Sequence, residues 1–394
     1  MPVHPRSLEI QGEISAIRRD IHAHPELAYE ENRTSDIVAA KLAEWGLEVT
    51  RGLGKTGLVG TLRKGNSLKS IGLRADMDCL PMDETNDFEH ASKNPGRMHA
   101  CGHDGHTAML LGAAKVLSEK RDFEGAVHFI FQPAEEGGGG GKAMIDDGLF
   151  DKFPCDAVFA IHNKPGLPLG MIATKPGPLL AAADRWDLRI TGKGGHAAHP
   201  HLSLDPLIVA ANLVLSLQTI VSRNMDPFAS SVVTVGFVKG GSAYNVIPTD
   251  AHVGGTTRTT TPEARKLIEA RIREICEGAA KMYGVKIDVE YRYGYPPTIN
   301  NAQRAAFAID VAAGVCGPNG VRDNVQASMG AEDFSYMLEK VPGAMVWLGN
   351  GGEDGNGAGL HNSRYDFNDM AIPFGVSFFV KTVERFLGEK TAGG

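Results

Sequence analysis

The stretch VKIDVEYRY, residues 285–293, decides the fold of one part of this chain. Val285, Ile287, Val289, Tyr291 and Tyr293 alternate strictly with Lys286, Asp288, Glu290 and Arg292, which is the period of a strand with one buried face. Just upstream, Thr261 and Pro262 form an N-cap and first-turn pair that predicts a helix to about Tyr283. Residues 251–258, 231–238 and 186–191 read as further strands, and residues 205–221 read as a helix. The order is βαββαβ. That order is the ferredoxin-like signature, and Tyr295-Pro296-Pro297 marks its exit.

Outward from this unit the rhythm changes. Residues 70–73, 126–131 and 157–161 read as buried strands, with a helix between the first two carrying Leu110, Ala113, Ala114 and Leu117 on one face. The tail continues with a helix over 302–315, a strand over 344–348 and a closing helix from about Pro373 to Leu387. Strands alternating with helices imply a mostly parallel, helix-covered sheet. The expected organisation is therefore a discontinuous α/β domain over 1–183 and 296–394, with an α+β domain inserted at 184–295. At roughly 150 residues per domain, 394 residues suit such a division.

Composition narrows the function. Hydrophobic residues make up 42% and charged residues 22%, ordinary globular values, and no apolar run approaches the roughly 18 residues of a membrane helix. Forty Lys plus Arg against 47 Asp plus Glu gives −7 with no basic stretch, so nucleic acid and membrane are not expected partners. The opening MPVHPRSLEI lacks a charged-then-apolar export pattern, and five scattered Cys suit reduced thiols, so the expected compartment is the cytoplasm.

The densest polar cluster is HACGHDGH, residues 99–106. Cys101 and His103 stand two apart in a glycine-relieved loop, where both can approach one ion. Strand 126–131 runs into Glu135 and Glu136, strand 157–161 into His162, and strand 344–348 through a Gly-rich loop to His361. Ligands bind outside the carboxyl ends of strands in open α/β sheets, so these segments deliver Cys101, His103, Glu136, His162 and His361 to one pole. One thiolate and one carboxylate beneath two divalent ions leave a positive site that suits hydrolysis, with open positions a structural zinc site lacks. One of Glu135 and Glu136 binds metal while the other moves a proton; from residue type alone either assignment stands. Loop exposure beside His103 suggests that, without metal, Cys101 is the most reactive of the thiols.

Taken together, LRADMD (73–78), HACGHDGH, FQPAEEG (131–137), His162, GKGGHAAHP (192–200), AYNVIP (243–248), TTRT (256–259), GAEDFSY (330–336) and LHN (360–362) resemble the M20 metallopeptidase family. The match is to its amidohydrolase branch of hippurate hydrolases, N-acyl amino acid amidohydrolases and plant indoleacetyl-amino-acid hydrolases. The resemblance implies a zinc-peptidase-like catalytic domain and an inserted lid and dimerisation domain. It implies that Cys101 bridges two ions, with His103 and His162 completing one and Glu136 and His361 the other, and that Glu135 is the general base. Peptidase relatives carry an Asp where Cys101 stands and a His where Asp76 stands. By the same resemblance Asp78 supports the ligands, His196 stabilises the oxyanion, from its own or a neighbouring subunit, and Asn245 and Arg258 hold the substrate carboxylate. Glu332 belongs to the signature without an assigned role. His22 and His24 read as structural, and Cys79, Cys155, Cys276 and Cys316 as packing residues.

The expected activity is hydrolysis of a small-molecule N-acyl amino acid by two divalent ions, with zinc, manganese, nickel and cobalt all open, in a homodimer or homotetramer. The alternatives are a dipeptidase or a deacetylase of N-acetyl amino acids or N-acetyl-diaminopimelate. A binding protein or purely structural dimer has no use for a general base, which disfavours both.

Overall fold

In the computed structural model, which describes residues 3–352 and 358–388, the chain divides into two compact units. The first comprises Met1–Gly177, Ile299–Gln326 and Asp333–Gly394; the second comprises Pro178–Thr298 and Ala327–Glu332. Part of the Gly-rich stretch 349–359, residues 353–357, lies outside the described residues.

The first unit is built on an eight-stranded sheet. Its spatial order is Glu48–Leu53, Gly57–Lys64, Gly125–Gln132, Ser70–Asp76, Ala157–Lys164, Gly343–Gly349, Ile172–Ala173 and Val321–Arg322. The central strands 70–76, 125–132, 157–164 and 343–349 run parallel, as the βαβ rhythm requires. Strands 48–53 and 57–64 are antiparallel additions at one side, and 172–173 runs antiparallel to 343–349, so the sheet is more mixed than expected. The first two strands lie only three residues apart, too short a link for a helical crossover. Strand 70–76 is buried along its whole length, and its charged Arg74 and Asp76 pair with one another at 2.7 Å. Helices His103–Lys120, Ala302–Cys316 and Ile372–Gly388 contribute Leu110, Ala312 and Phe379 to the core.

Strand 157–164 runs three residues past its expected end, because His162, Asn163 and Lys164 stay in register with Trp347, Leu348 and Gly349. His162 therefore sits on a strand and not on the following loop.

The second unit has the ferredoxin-like order. Its antiparallel sheet runs Ser231–Gly240, Asp250–Thr259, Ala182–Thr191, Lys286–Arg292, crossed by helices Pro206–Thr219 and Pro262–Tyr283. Trp186, Leu188 and Ile190 face inward against Leu213, Ile268 and Ile272, while Arg185 and Arg189 face out. The side chains of Asp205 and Thr261 cap the two helices through Leu207 N–H and Ala264 N–H, each cap contributing about 1 kcal/mol. Pro206–Asn224, a 19-residue helix with an 18-residue window of mean hydropathy 1.4, is long and apolar enough by length and composition to cross a membrane, which corrects the reading that no run approaches that length. Asn212, Ser216 and Gln218 interrupt the run without adding charge, so its average stays high while no unbroken stretch stands out. Val209, Leu213, Leu217 and Ile220 pack against the unit's own sheet, while Ile208 and Leu215 are exposed.

Candidate metal centre

Helix His103–Lys120 begins at Gly102, whose φ of +89° and crowding favour glycine: a Cβ there would lie 2.4 Å from Asn163 Oδ1. This turn sets Cys101 and His103 side by side. His103 Nδ1 donates to the Asp78 carbonyl at 2.9 Å, which leaves Nε2 as the ligating nitrogen; that atom is buried without a hydrogen-bond partner. His162 Nδ1 donates to the Asn163 carbonyl at 2.8 Å, and its Nε2 lies 3.5 Å from Cys101 Sγ. Both imidazoles are thus oriented by their far nitrogens.

The turn after strand 125–132 carries the two glutamates. Asp78 receives both of their backbone N–H groups, Glu135 N–H on Oδ1 and Glu136 N–H on Oδ2, each at 2.9 Å. Glu136 Oε1, buried and without a hydrogen-bond partner, lies 3.3 Å from Nε2 of His361. His361 adopts a left-handed φ of +60° and donates its N–H to the Ala100 carbonyl at 2.8 Å, which ties its loop to the cysteine segment. Glu135, 6% exposed, accepts the Asp333 N–H at 3.4 Å and keeps a carboxylate oxygen within 4.8 Å of ligand atoms of His103 and Glu136.

Among the described residues five donor groups have ligand atoms within 4.8 Å of one another; Glu135 stands with His103 and Glu136 in one of them, and two others are Cys101 with His103 and His162, and Cys101 with Glu136 and His361. Cys101 Sγ is common to both. Thiolate, imidazole and carboxylate suit borderline divalent ions, and two buried, unsatisfied atoms point into the cluster, so these residues fit a pair of cations. A larger open depression of ≈ 1090 Å³, lined by Gln11, Arg19, Asn350 and Asp369 among others, contains none of these ligands.

Burial and neighbouring charges set the protonation of the donor groups differently. Burial pushes the Cys101 thiol up to about 12 even though His103 pulls the other way. Cys101 is 7% exposed, which corrects the expectation of an accessible loop thiol. Burial, then His106, holds His162 well below its ordinary range, so it is a neutral imidazole. Burial also opposes charge on His103, but Asp76, Cys101 and the Asp78 hydrogen bond outweigh it and raise the group.

Several contributors carry no role in the motif reading. Asp76 accepts from His106 at 2.6 Å, and the His106 ring stands edge-on to His162 with centroids 4.6 Å apart. Arg74 bridges Asp76 at 2.7 Å, Gln132 at 2.8 Å and Asp333 at 3.0 Å, and so links the cysteine side to the Glu135 side. They lie within LRADMD, HACGHDGH, FQPAEEG and GAEDFSY, but buried polar residues far apart in the chain announce no partner by spacing. His22 is buried between Asp104 and Glu84 and belongs to none of the donor groups; His24 is half-buried against Asp20.

His196, Asn245 and Arg258 lie in the second unit. His196 and Asn245 line one open depression of ≈ 520 Å³, and both side chains are exposed. His196 Nδ1 accepts the Ala198 N–H at 3.0 Å, leaving Nε2 outward. Arg258 is half-buried on strand 250–259 and donates to Thr256 Oγ1 and, at 2.9 Å, to the Thr257 carbonyl. Among the described residues no carboxylate pairs with it.

Residues 72–385 match the model of peptidase family M20/M25/M40. The chain is 43% identical over 383 residues to a hippurate hydrolase of Campylobacter jejuni, covering 97% of this chain and 99% of that protein. It is 39% identical to an N-acetyl-L-cysteine deacetylase of Bacillus subtilis, covering 98% and 90%. Among solved structures, the Bacillus subtilis YXEP protein, described as a dinuclear metal binding peptidase from the M20 family, superposes with a TM-score of 0.85 at 32% identity, covering 97% and 99%.

Proposed function

The chain belongs to peptidase family M20/M25/M40, in its amidohydrolase branch, and on that premise we propose that it hydrolyses the amide bond of N-acyl amino acids with two divalent metal ions. The observation that carries this reading is the pair of donor groups sharing Cys101, with Glu135 on the adjoining residue to Glu136. Cys101 is assigned as the bridge, His103 and His162 to one ion, Glu136 and His361 to the other. When bound, the ions polarise the amide carbonyl and acidify water.

Glu135 removes a proton from the attacking water as its oxygen bonds to the carbonyl carbon. The same proton then passes to the departing nitrogen as the C–N bond breaks, giving a carboxylate and a free amino acid. Asp78 holds Glu135 and Glu136 by their backbone while orienting His103. The outward Nε2 of His196, from its own or a neighbouring subunit, donates to the developing oxyanion. Asn245 and the carboxylate-free Arg258 hold the substrate carboxylate, a group that a guanidinium grips bidentately. The similarity to a deacetylase supports a second reading, in which the acyl group is acetyl.

Zinc, manganese, nickel and cobalt all suit the donor set. We assign the protein to the cytoplasm, where its five unpaired cysteines stay reduced. We also assign it a homodimeric or homotetrameric state formed through the second unit, where Ile208, Leu215, Phe228 and Val238 are exposed.

The test is amino-acid release from hippurate, N-acetyl amino acids and dipeptides by protein reloaded with each metal in turn. Acyl amino acids should be cleaved in preference to dipeptides, and chelator-treated protein should be inactive. Full activity in a verified metal-free sample, or dipeptides as the preferred substrates, overturns the reading.

A further inference from the structure

Ala134, immediately before the two glutamates, holds a left-handed φ of +54°. A side chain with a Cβ disfavours that region, so something must hold it there. The turn is folded tightly back on itself: Gly140 N–H donates to the Ala134 carbonyl at 3.1 Å, and a Cβ on Gly138 would lie 2.7 Å from that of Ala134.

The holding group comes from far away in the sequence. Glu31, fully buried, accepts the Ala134 N–H on Oε1 at 2.8 Å, and the same oxygen takes Tyr29 N–H at 3.0 Å. Its Oε2 accepts the Thr56 hydroxyl at 2.5 Å. Tyr29, itself at φ +63°, donates its hydroxyl to the Gly138 carbonyl at 2.8 Å. Residues 29–31 therefore clasp both ends of the turn. With Asp78, two buried carboxylates collect three consecutive backbone N–H groups, those of residues 134, 135 and 136. No Lys, Arg or His pairs with Glu31 among the described residues, and burial pushes its carboxyl up to about 7, a cost that a merely space-filling side chain would not carry.

We infer that Glu31 is a positioning residue for Glu135 and Glu136, fixing through Ala134 the left-handed turn from which both carboxylates project. The inference rests on the roles given to those two glutamates above.

The test is a double-mutant cycle between Glu31→Ala and Ala134→Gly, read by kcat, KM, metal content and hydrogen exchange of the 132–139 segment. Glu31→Ala should lower kcat about 30-fold, leave KM within about threefold and speed exchange in that segment, whereas Glu31→Gln, which retains an acceptor oxygen, should stay within about threefold of wild type. Glycine adopts the left-handed region freely, so in the Ala134→Gly background the loss on removing Glu31 should shrink at least about fivefold. A side chain that only stiffened the fold would lower the melting temperature and leave kcat per folded molecule unchanged. An equal loss in both backgrounds, or faster exchange with unaltered kcat, overturns the inference. Where Glu31→Ala does not fold, Glu31→Asp carries the test: one methylene shorter, it withdraws from Ala134 N–H and should lower kcat about 10-fold. Failure of the Glu135 assignment shows separately, as an active Glu135→Gln variant, and exchange in the segment still reports the grip of Glu31.

Discussion

Nε2 of His361 lies 3.3 Å from Oε1 of Glu136, joining the loop after strand 343–349 to the turn after strand 125–132. The contact distinguishes the surroundings of two adjacent glutamates. Glu136 lies with His361 and Cys101, while Glu135 lies with His103 and accepts the Asp333 N–H.

That divergence makes the pair testable. Glu135→Gln should keep both ions and lower kcat at least about 10²-fold, the usual cost of losing a general base. Glu136→Gln should lose an ion. Metal analysis beside kcat reads both, and the opposite pattern means the two assignments must be exchanged.

Burial of Cys101, which holds its thiol near about 12, changes what metal removal should do. In metal-free protein the sulfur should stay protonated and react slowly with iodoacetamide below pH 9, because the thiolate is the nucleophile. Ion uptake must then expel that proton, so calorimetric titrations in buffers of different ionisation enthalpy should show proton release, and affinity should rise with pH. Rapid labelling of Cys101 in metal-free protein counts against a buried bridging thiol. Cys101→Ala should be nearly inactive, while Cys101→Asp, which retains a bridging charge, should recover part of the activity.

Much of the site was legible in the sequence because strand ends are legible. The apolar runs at 126–131, 157–161 and 344–348 point their following residues to one pole, so Glu136, His162 and His361 could be gathered without coordinates. The alternation at 285–293 likewise gave the closing strand of the ferredoxin-like sheet. What escaped were contacts with no local period. Glu31 reaches Ala134 across 103 positions and Arg74 reaches Asp333 across 259, and neither distance leaves a trace in spacing. The antiparallel strands 48–53 and 57–64 also escaped, since polar Thr50, Arg51, Thr61 and Arg63 blur their alternation.

Arg258 and His196 should separate binding from chemistry. Arg258→Ala should mainly raise KM for substrates with a free α-carboxylate, erasing the preference for acids over their amides, and His196→Ala should mainly lower kcat. The measurement is kcat and KM on paired acid and amide substrates; an unchanged preference in the Arg258 variant removes it from the carboxylate site.

Two buried histidines should make stability depend on pH in opposite directions. Burial opposes charge on His22, but Asp104 and Glu84, at 2.9 and 3.2 Å, overcome it and raise the group to about 9. A raised folded value means the native state binds the proton more tightly, so this stabilisation is complete below the unfolded value of about 6.5 and is lost as pH rises to about 9. The loss is on the order of 3 kcal/mol at about 1.4 kcal/mol per unit. His99 acts oppositely: burial lowers it to about 4, and among the described residues both ring nitrogens lack hydrogen-bond partners. The unfolded chain takes up that proton first, so stability falls as pH drops from about 6.5 towards 4. Urea midpoints across pH 4–9 test both arms: relative to wild type, His22→Gln should flatten the alkaline decline and His99→Phe the acidic one. An alkaline decline of equal slope in wild type and His22→Gln places the titrating group elsewhere.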